Sequence, residues 1–183
     1  ILRIVTLFVL AIVITLSTPA SDFGTTGLID IPNARMSSDG TLRFTSAYDG
    51  RHSSYMLTYQ AVPWAQGTFR YTGFDEFFHW DRNYEFKLKI ANESKYLPQL
   101  AIGIRDALGT GLFESEYVVA SKKLKNGLDF SLGLGWGRLA GNSSIENPLG
   151  SVTDGFKKRD ATVGKGGKFS IKNFFSGPNV GLF

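Results

Sequence analysis

The chain has 183 residues, 43% hydrophobic and 20% charged, which excludes the disordered and collagen-like classes. It contains no cysteine, so neither a disulfide framework nor a zinc–thiolate site can form within it. The net charge of +4 makes no case for nucleic acid, while 14% aromatic residues and 21 glycines suggest a β-rich protein that need not be soluble.

Ile4 to Leu16 is a nearly unbroken apolar run, with Arg3 before it and Ser17-Thr18-Pro19-Ala20 after it. The pattern reads as the apolar region of a Sec signal peptide over residues 1–20, with cleavage near Ala20. The other reading is a membrane-anchoring helix, but about 13 apolar residues fall short of the roughly 20 needed to cross a bilayer. No later run approaches that length. The mature chain is therefore expected to leave the cytoplasm, and it is not expected to be a lipoprotein. Residues 21–40 are read as an N-terminal periplasmic segment that precedes the first long strand.

From Thr41 onward the dominant period is two, the signature of strands that present different residues on their two faces. The clearest cases are Asn83–Ile90 and Leu128–Trp136, where Tyr84, Phe86, Leu88 and Ile90, then Leu128, Phe130, Leu132, Leu134 and Trp136, fall on one face. Weaker alternation predicts strands near Thr41–Tyr48, Ser53–Gln60, Gly67–Gly73, Gln99–Arg105 and Leu112–Ser121, with an eighth starting at Asn179. The last residues, Gly181-Leu182-Phe183, still alternate, so the sequence reads as an incomplete stretch of a longer chain.

Two architectures make this pattern. A soluble sandwich packs the apolar face inward, whereas a transmembrane barrel turns it to lipid and lines a wet lumen with the polar face. The connections favour the barrel. The two longest, Phe74–Asp81 and Leu139–Pro178, fall on one end of an up-and-down sheet, as outer-membrane barrels arrange their external loops. Tyr48, Tyr55, Trp64, Tyr71 and Trp136 lie near strand ends, where an aromatic girdle would sit, although core aromatics would also fit. The expected fold is thus all-β, an antiparallel up-and-down transmembrane β-barrel, partial over residues 41–183. Its lumen-lining candidates are Arg70, Glu85, Lys87, Lys89, Arg105, Glu114, Glu116, Asp129 and Ser131.

Little points to catalysis. His52 and His79 fall in expected loops without a ligand spacing around them, and no expected strand carries a histidine. Gly133-Leu134-Gly135-Trp136-Gly137 sits within a strand pattern with no helix after it, so it is not a nucleotide loop. No cofactor, metal or enzymatic activity is expected. Lys157, Lys158, Arg159, Lys165, Lys168 and Lys172 gather in the last loop; Lys157, Lys158 and Arg159 are candidates for contacting an anion, against the alternative of a solvated loop.

Several segments carry a family resemblance. They include Thr26-Gly27-Leu28-Ile29, Ala34-Arg35-Met36, Phe69-Arg70-Tyr71-Thr72 and Tyr96-Leu97-Pro98-Gln99. The match continues through Gly103-Ile104-Arg105-Asp106, Gly109-Thr110-Gly111-Leu112-Phe113, Ser115-Glu116-Tyr117 and Val119-Ala120-Ser121-Lys122. In this order they resemble the N-terminal part of YjbH-like (GfcD-like) exopolysaccharide-biosynthesis proteins of Gram-negative bacteria. The resemblance implies an outer-membrane barrel in exopolysaccharide or capsule secretion, with periplasmic polysaccharide-export proteins, the exopolysaccharide and outer-membrane lipid as partners. It supplies no catalytic motif. A generic porin and a secreted carbohydrate-binding sandwich remain the alternatives.

Overall fold

A computed structural model describes residues 21–75, 79–141, 144–160, 164, 167, 169 and 171–183. The expected signal peptide, and Lys165 and Lys168 of the basic cluster, lie outside the described residues. Two short strands come first, β1 (Gly27–Leu28) and β2 (Ile31–Pro32), which pair as a small hairpin. Then follow β3 (Leu42–Tyr48), β4 (His52–Val62), β5 (Ala65–Phe74), β6 (His79–Ala91), β7 (Gln99–Arg105), β8 (Ser115–Lys123) and β9 (Asp129–Gly135). The last strands are β10 (Ser144–Glu146) and β11 (Asn179–Leu182). Among the described residues there is no α-helix, only short 3-10 turns between residues 137 and 173.

Strands β3 to β9 pair with their sequence neighbours, each pair antiparallel, so the up-and-down expectation holds over seven strands. The order then changes: β11 pairs with β9, and β10 lies outside β11 as the edge of a nine-stranded sheet. β3 is the opposite edge, and among the described residues nothing joins the two edges. The sheet is open, where a closed barrel would have no edge.

Three expectations about boundaries need correction. β6 begins at His79, which shortens the third connection to residues 75–78 and removes it from the long loops. The connection between β7 and β8, residues 106–114, is longer. Asp106 takes a left-handed φ of 58° there and its Oδ2 accepts the Phe113 amide at 2.9 Å, closing the loop through a short polar side chain that tolerates this conformation. Finally, His52 and His79 open β4 and β6 rather than sitting in loops.

The two faces of the sheet divide sharply by chemistry. Along β6, Asp81, Asn83, Glu85 and Lys87 are at most 2% exposed, while Tyr84, Phe86 and Leu88 between them are 39%, 44% and 42% exposed. Register carries this division across the sheet. Thr68 and Arg70 of β5 pair with Glu85 and Asn83 of β6, and Lys87 pairs with Gly103 of β7. Gly103 in turn faces Tyr117 of β8, whose ring lies where a side chain on Gly103 would stand, within 2.2 Å. On the other face, Leu42, Phe44, Leu57, Tyr59, Phe69, Ile90, Phe130 and Leu132 are all exposed. Tyr71 and Tyr55 stack on Trp80 at ring-centre distances of 4.6 and 6.4 Å, a band of aromatics toward one end of this apolar face. Trp136 does not belong to that band. It is 3% exposed, its indole N–H donating to Asn147 Oδ1 at 3.1 Å.

Candidate functional site: a polar sheet face covered by residues 21–36

The polar face is buried because residues 21–36 lie across it. Glycine at position 24 is required: its φ is 80°, and a Cβ there would stand 2.7 Å from Met56 Cβ. This close approach lets Thr58 Oγ1 donate to the Gly24 carbonyl at 3.0 Å, while Thr58 also bonds Thr68 Oγ1 at 2.9 Å. Next to it, the Phe23 ring sits between two guanidinium groups, Arg70 at 4.2 Å and Arg105 at 3.8 Å from the ring centre. Phe113 covers Arg70 from the 106–114 loop at 3.9 Å.

Further along, Lys87 Nζ donates to the Thr26 carbonyl at 3.3 Å and the Arg35 carbonyl at 2.7 Å. Arg105 donates to the Asp30 carbonyl at 2.9 Å, and Gln99 Nε2 to the Ala34 carbonyl at 2.8 Å. The Ala34 amide donates to Ser121 Oγ at 2.8 Å, which also bonds Ser131 Oγ at 2.8 Å. The segment thus reaches from β4 to β8 mainly through polar contacts, with Ala34 packed among Ala101, Tyr117 and Val119. Between its anchors the wall keeps a paired row, with Arg70 Nε donating to Asn83 Oδ1 at 2.9 Å and Asn83 Nδ2 to Asp81 Oδ2 at 2.7 Å.

Arg35 ends the segment as a clamp. Its guanidinium makes a two-bond contact with Asp129, at 2.9 and 2.7 Å, and reaches Glu93 Oε2 at 2.6 Å and Gln99 Oε1 at 3.1 Å. Glu93 also accepts the Lys123 amide at 3.0 Å and pairs with Lys122 at 3.3 Å. The hydrogen bond from Arg35 is the main reason that the Glu93 carboxyl is held down to about 2 from 4.5, with Lys123 and Lys122 assisting against partial burial. A depressed carboxylate stabilises the folded arrangement above its unfolded value and loses that contribution as pH falls through its folded value. Hydrogen exchange at the Ala34 amide is therefore expected to accelerate, beyond the intrinsic trend, as pH falls from 4.5 toward 2. Glu93→Gln should remove that pH dependence, and an unchanged profile would show that Glu93 does not hold the segment.

The structure sorts the sequence candidates into three groups. Arg70, Glu85, Lys87 and Arg105 share the polar face and are at most 2% exposed, so they meet protein rather than a wet lumen. Lys89, Asp129 and Ser131 share that face by register but lie at or near its accessible rim. Glu114 and Glu116 are a correction. Glu116 pairs with Ile104, and Ile104 with Phe86, so Glu116 projects to the opposite, apolar side from Arg105 and Tyr117. It is buried there by the chain after β9. Arg159 donates to both Glu116 oxygens at 2.8 Å, and pairs with Glu114 at 3.3 Å. The Phe175 amide donates to Glu116 Oε2 at 3.0 Å, and Asn173 Nδ2 to Glu114 Oε2 at 3.1 Å. Arg159 is thus committed to two carboxylates, which takes it out of the anion-contacting set. Lys157, in turn, pairs with Asp154 at 2.6 Å, and Lys158 remains exposed.

At the other end of the polar face, Asp22, Asp30, Asp49, His52, Ser54, Phe113 and Arg138 line a cleft of about 70 Å³. His52 Nδ1 lies 2.8 Å from Asp49 Oδ2, and this bond holds the Asp49 carboxyl below the ordinary range. Sequence reasoning missed the whole covering segment.

The family model YjbH, described as exopolysaccharide biosynthesis protein YbjH, matches residues 19–183. A relative from Escherichia coli (strain K12), described as uncharacterized lipoprotein YjbH, is 39% identical over 86% of this chain. The chain spans 24% of that relative's length. No solved structure matches. With the family model running over nearly all of the described sheet and its covering segment, this chain belongs to the YjbH exopolysaccharide-biosynthesis family.

Proposed function

We propose that this chain forms one side of an outer-membrane β-barrel that assists export of exopolysaccharide or capsule without itself performing chemistry. The observation that carries the reading is the inversion of the faces. In a soluble sandwich the apolar face is buried and the polar face is wet. Here Lys87 is 0% exposed and its neighbours Phe86 and Leu88 are 44% and 42% exposed. An apolar wall of this extent needs a partner, and lipid is the partner that period-two strands of 7–13 residues suit. The band at Tyr55, Tyr71 and Trp80 has the amphipathic character found at a membrane interface.

The rest of the reading follows from the family and from the sequence. The family description supports a place in the exopolysaccharide pathway, and the relative's name as a lipoprotein supports an envelope location for that protein. Delivery by a Sec signal, periplasmic export proteins as partners and a polar route for glycan complete the proposal. Deleting the full-length gene is expected to reduce surface and secreted polymer while leaving intracellular sugar-nucleotide pools intact. Membrane fractionation should recover the protein with the outer membrane. Normal polymer in the deletion strain would leave a generic barrel as the reading. Recovery as a soluble periplasmic protein would reinstate the carbohydrate-binding sandwich.

A further inference from the structure

Residues 21–36 sit on the polar wall much as an oxygen-rich ligand would. Five of their backbone carbonyls, those of Gly24, Thr26, Asp30, Ala34 and Arg35, accept hydrogen bonds from side chains of the sheet. The donors are Thr58, Lys87, Arg105 and Gln99, drawn from three strands, with Gln99 and Arg105 at the two ends of β7. None of these bonds depends on which side chain the segment carries, because each ends on a main-chain oxygen. Hydroxyl and carboxylate oxygens of a glycan can accept the same bonds. Beneath the segment more capacity of both kinds remains: Arg70 Nη2 and Arg105 Nη2 have no hydrogen-bond partner, nor do Glu85 Oε1, Asp81 Oδ1 and Asp106 Oδ1, while Arg105 Nε lies 3.9 Å from Glu85 Oε2. Phe23, lying between the two guanidiniums, fills a slot flanked by cations on both sides.

How the segment is held indicates that it can leave. Phe23 and Ala34 are its deeply buried apolar anchors, at 3% and 0% exposure. The remaining ties are hydrogen bonds that water or a polyol could replace; the neutral ones are worth little net once exchange with solvent is counted, and those from Lys87 and Arg105 are the stronger, charge-assisted ones. Its strongest tie, the Arg35 clamp, lies at the rim, where Arg35 and Glu93 keep 23% and 22% side-chain exposure and Asp129 keeps 41%.

We infer that residues 21–36 are a displaceable plug, latched by Arg35, and that lifting them uncovers a groove of donors and acceptors for a hydroxyl-rich glycan. The inference rests on the export reading for the identity of the ligand, but the displacement itself does not. The 183 residues contain no cysteine, so introduced thiols report cleanly on this part of the full-length protein. Thr68→Cys places one on the wall under Gly24, at a site only 3% exposed. A membrane-impermeant maleimide should label it slowly in exporting cells, and Arg35→Gln should raise the labelling rate about tenfold by removing charge-assisted bonds. Ala34→Cys with Ser121→Cys, whose backbone amide and side chain now lie 2.8 Å apart, should lock the plug, abolish Thr68→Cys labelling and stop export until a reductant is added.

Labelling unaffected by both the latch variant and the lock would overturn the plug. So would normal polymer export with the crosslink verified by gel mobility. If the deletion strain exports normally, the export reading fails alone, and labelling still decides whether the segment moves.

Discussion

Replacing Leu132 with Arg is expected to destabilise the protein in membranes by about 2–4 kcal/mol, the cost of a cation on the lipid face near the middle of a barrel wall. Leu132 is 66% exposed in the isolated chain and lies on the side of β9 opposite Ser131, which faces the covering segment through Ser121. In a soluble protein a substitution at so exposed a position, away from caps and networks, would stay within about 0.5 kcal/mol. Reversible unfolding of the full-length protein in lipid vesicles separates the two cases, because their magnitudes differ several-fold. Phe86→Arg, on the same face of β6 at 44% exposure, should behave alike. Losses below about 0.5 kcal/mol at both sites would count decisively against lipid contact and would return the apolar face to a protein partner.

The alternation that makes this prediction possible was legible in the sequence, and so were the strands that carry it. β7 runs over Gln99–Arg105 as the pattern requires, and β3 and β9 differ from expectation by a residue or so at their ends. What period two cannot show is which strand residues have outside partners. Charge alone assigns Glu114 and Glu116 to the polar face. Pairing of Glu116 with Ile104 puts it on the apolar side, where Arg159, 43 positions later, neutralises it. A charge on a lipid-type face is the signal that some other segment must return to cover it, and that signal was present in the sequence. Residues 21–36 were harder to read. Apart from the Arg35 clamp and the Phe23 ring, their hold on the sheet runs through main-chain carbonyls, which every sequence possesses and no side-chain pattern announces. Only the wall hinted at a cover. Arg70, Glu85, Lys87 and Arg105 form a mixed-charge row that water alone could have solvated, and Phe23 and the backbone of the segment take that place.

Arg159→Ala should be at least as damaging as the lipid-face substitutions, and for a different reason. Glu116 is fully buried, and Arg159 contacts both of its oxygens while also reaching Glu114. Removing the guanidinium leaves two carboxylates facing each other on an apolar surface. Breaking a buried pair in this way costs about 3–5 kcal/mol, because the remaining charge has lost its compensation. The chain after β9 should then detach from β8. Asn147 supports that expectation, since its side chain holds the carbonyls of Phe156, Phe175 and Gly177 together as one unit on Trp136. Detachment would expose Trp136, so its fluorescence should shift to longer wavelength and become quenchable by a soluble quencher. Replacing all three partners with apolar residues, Arg159→Met, Glu116→Leu and Glu114→Leu, removes the unpaired charges and should recover most of the lost stability. If Arg159→Ala leaves both stability and the Trp136 emission unchanged, the pair does not fasten this segment, and Arg159 returns to the set of basic residues available to an anionic polymer.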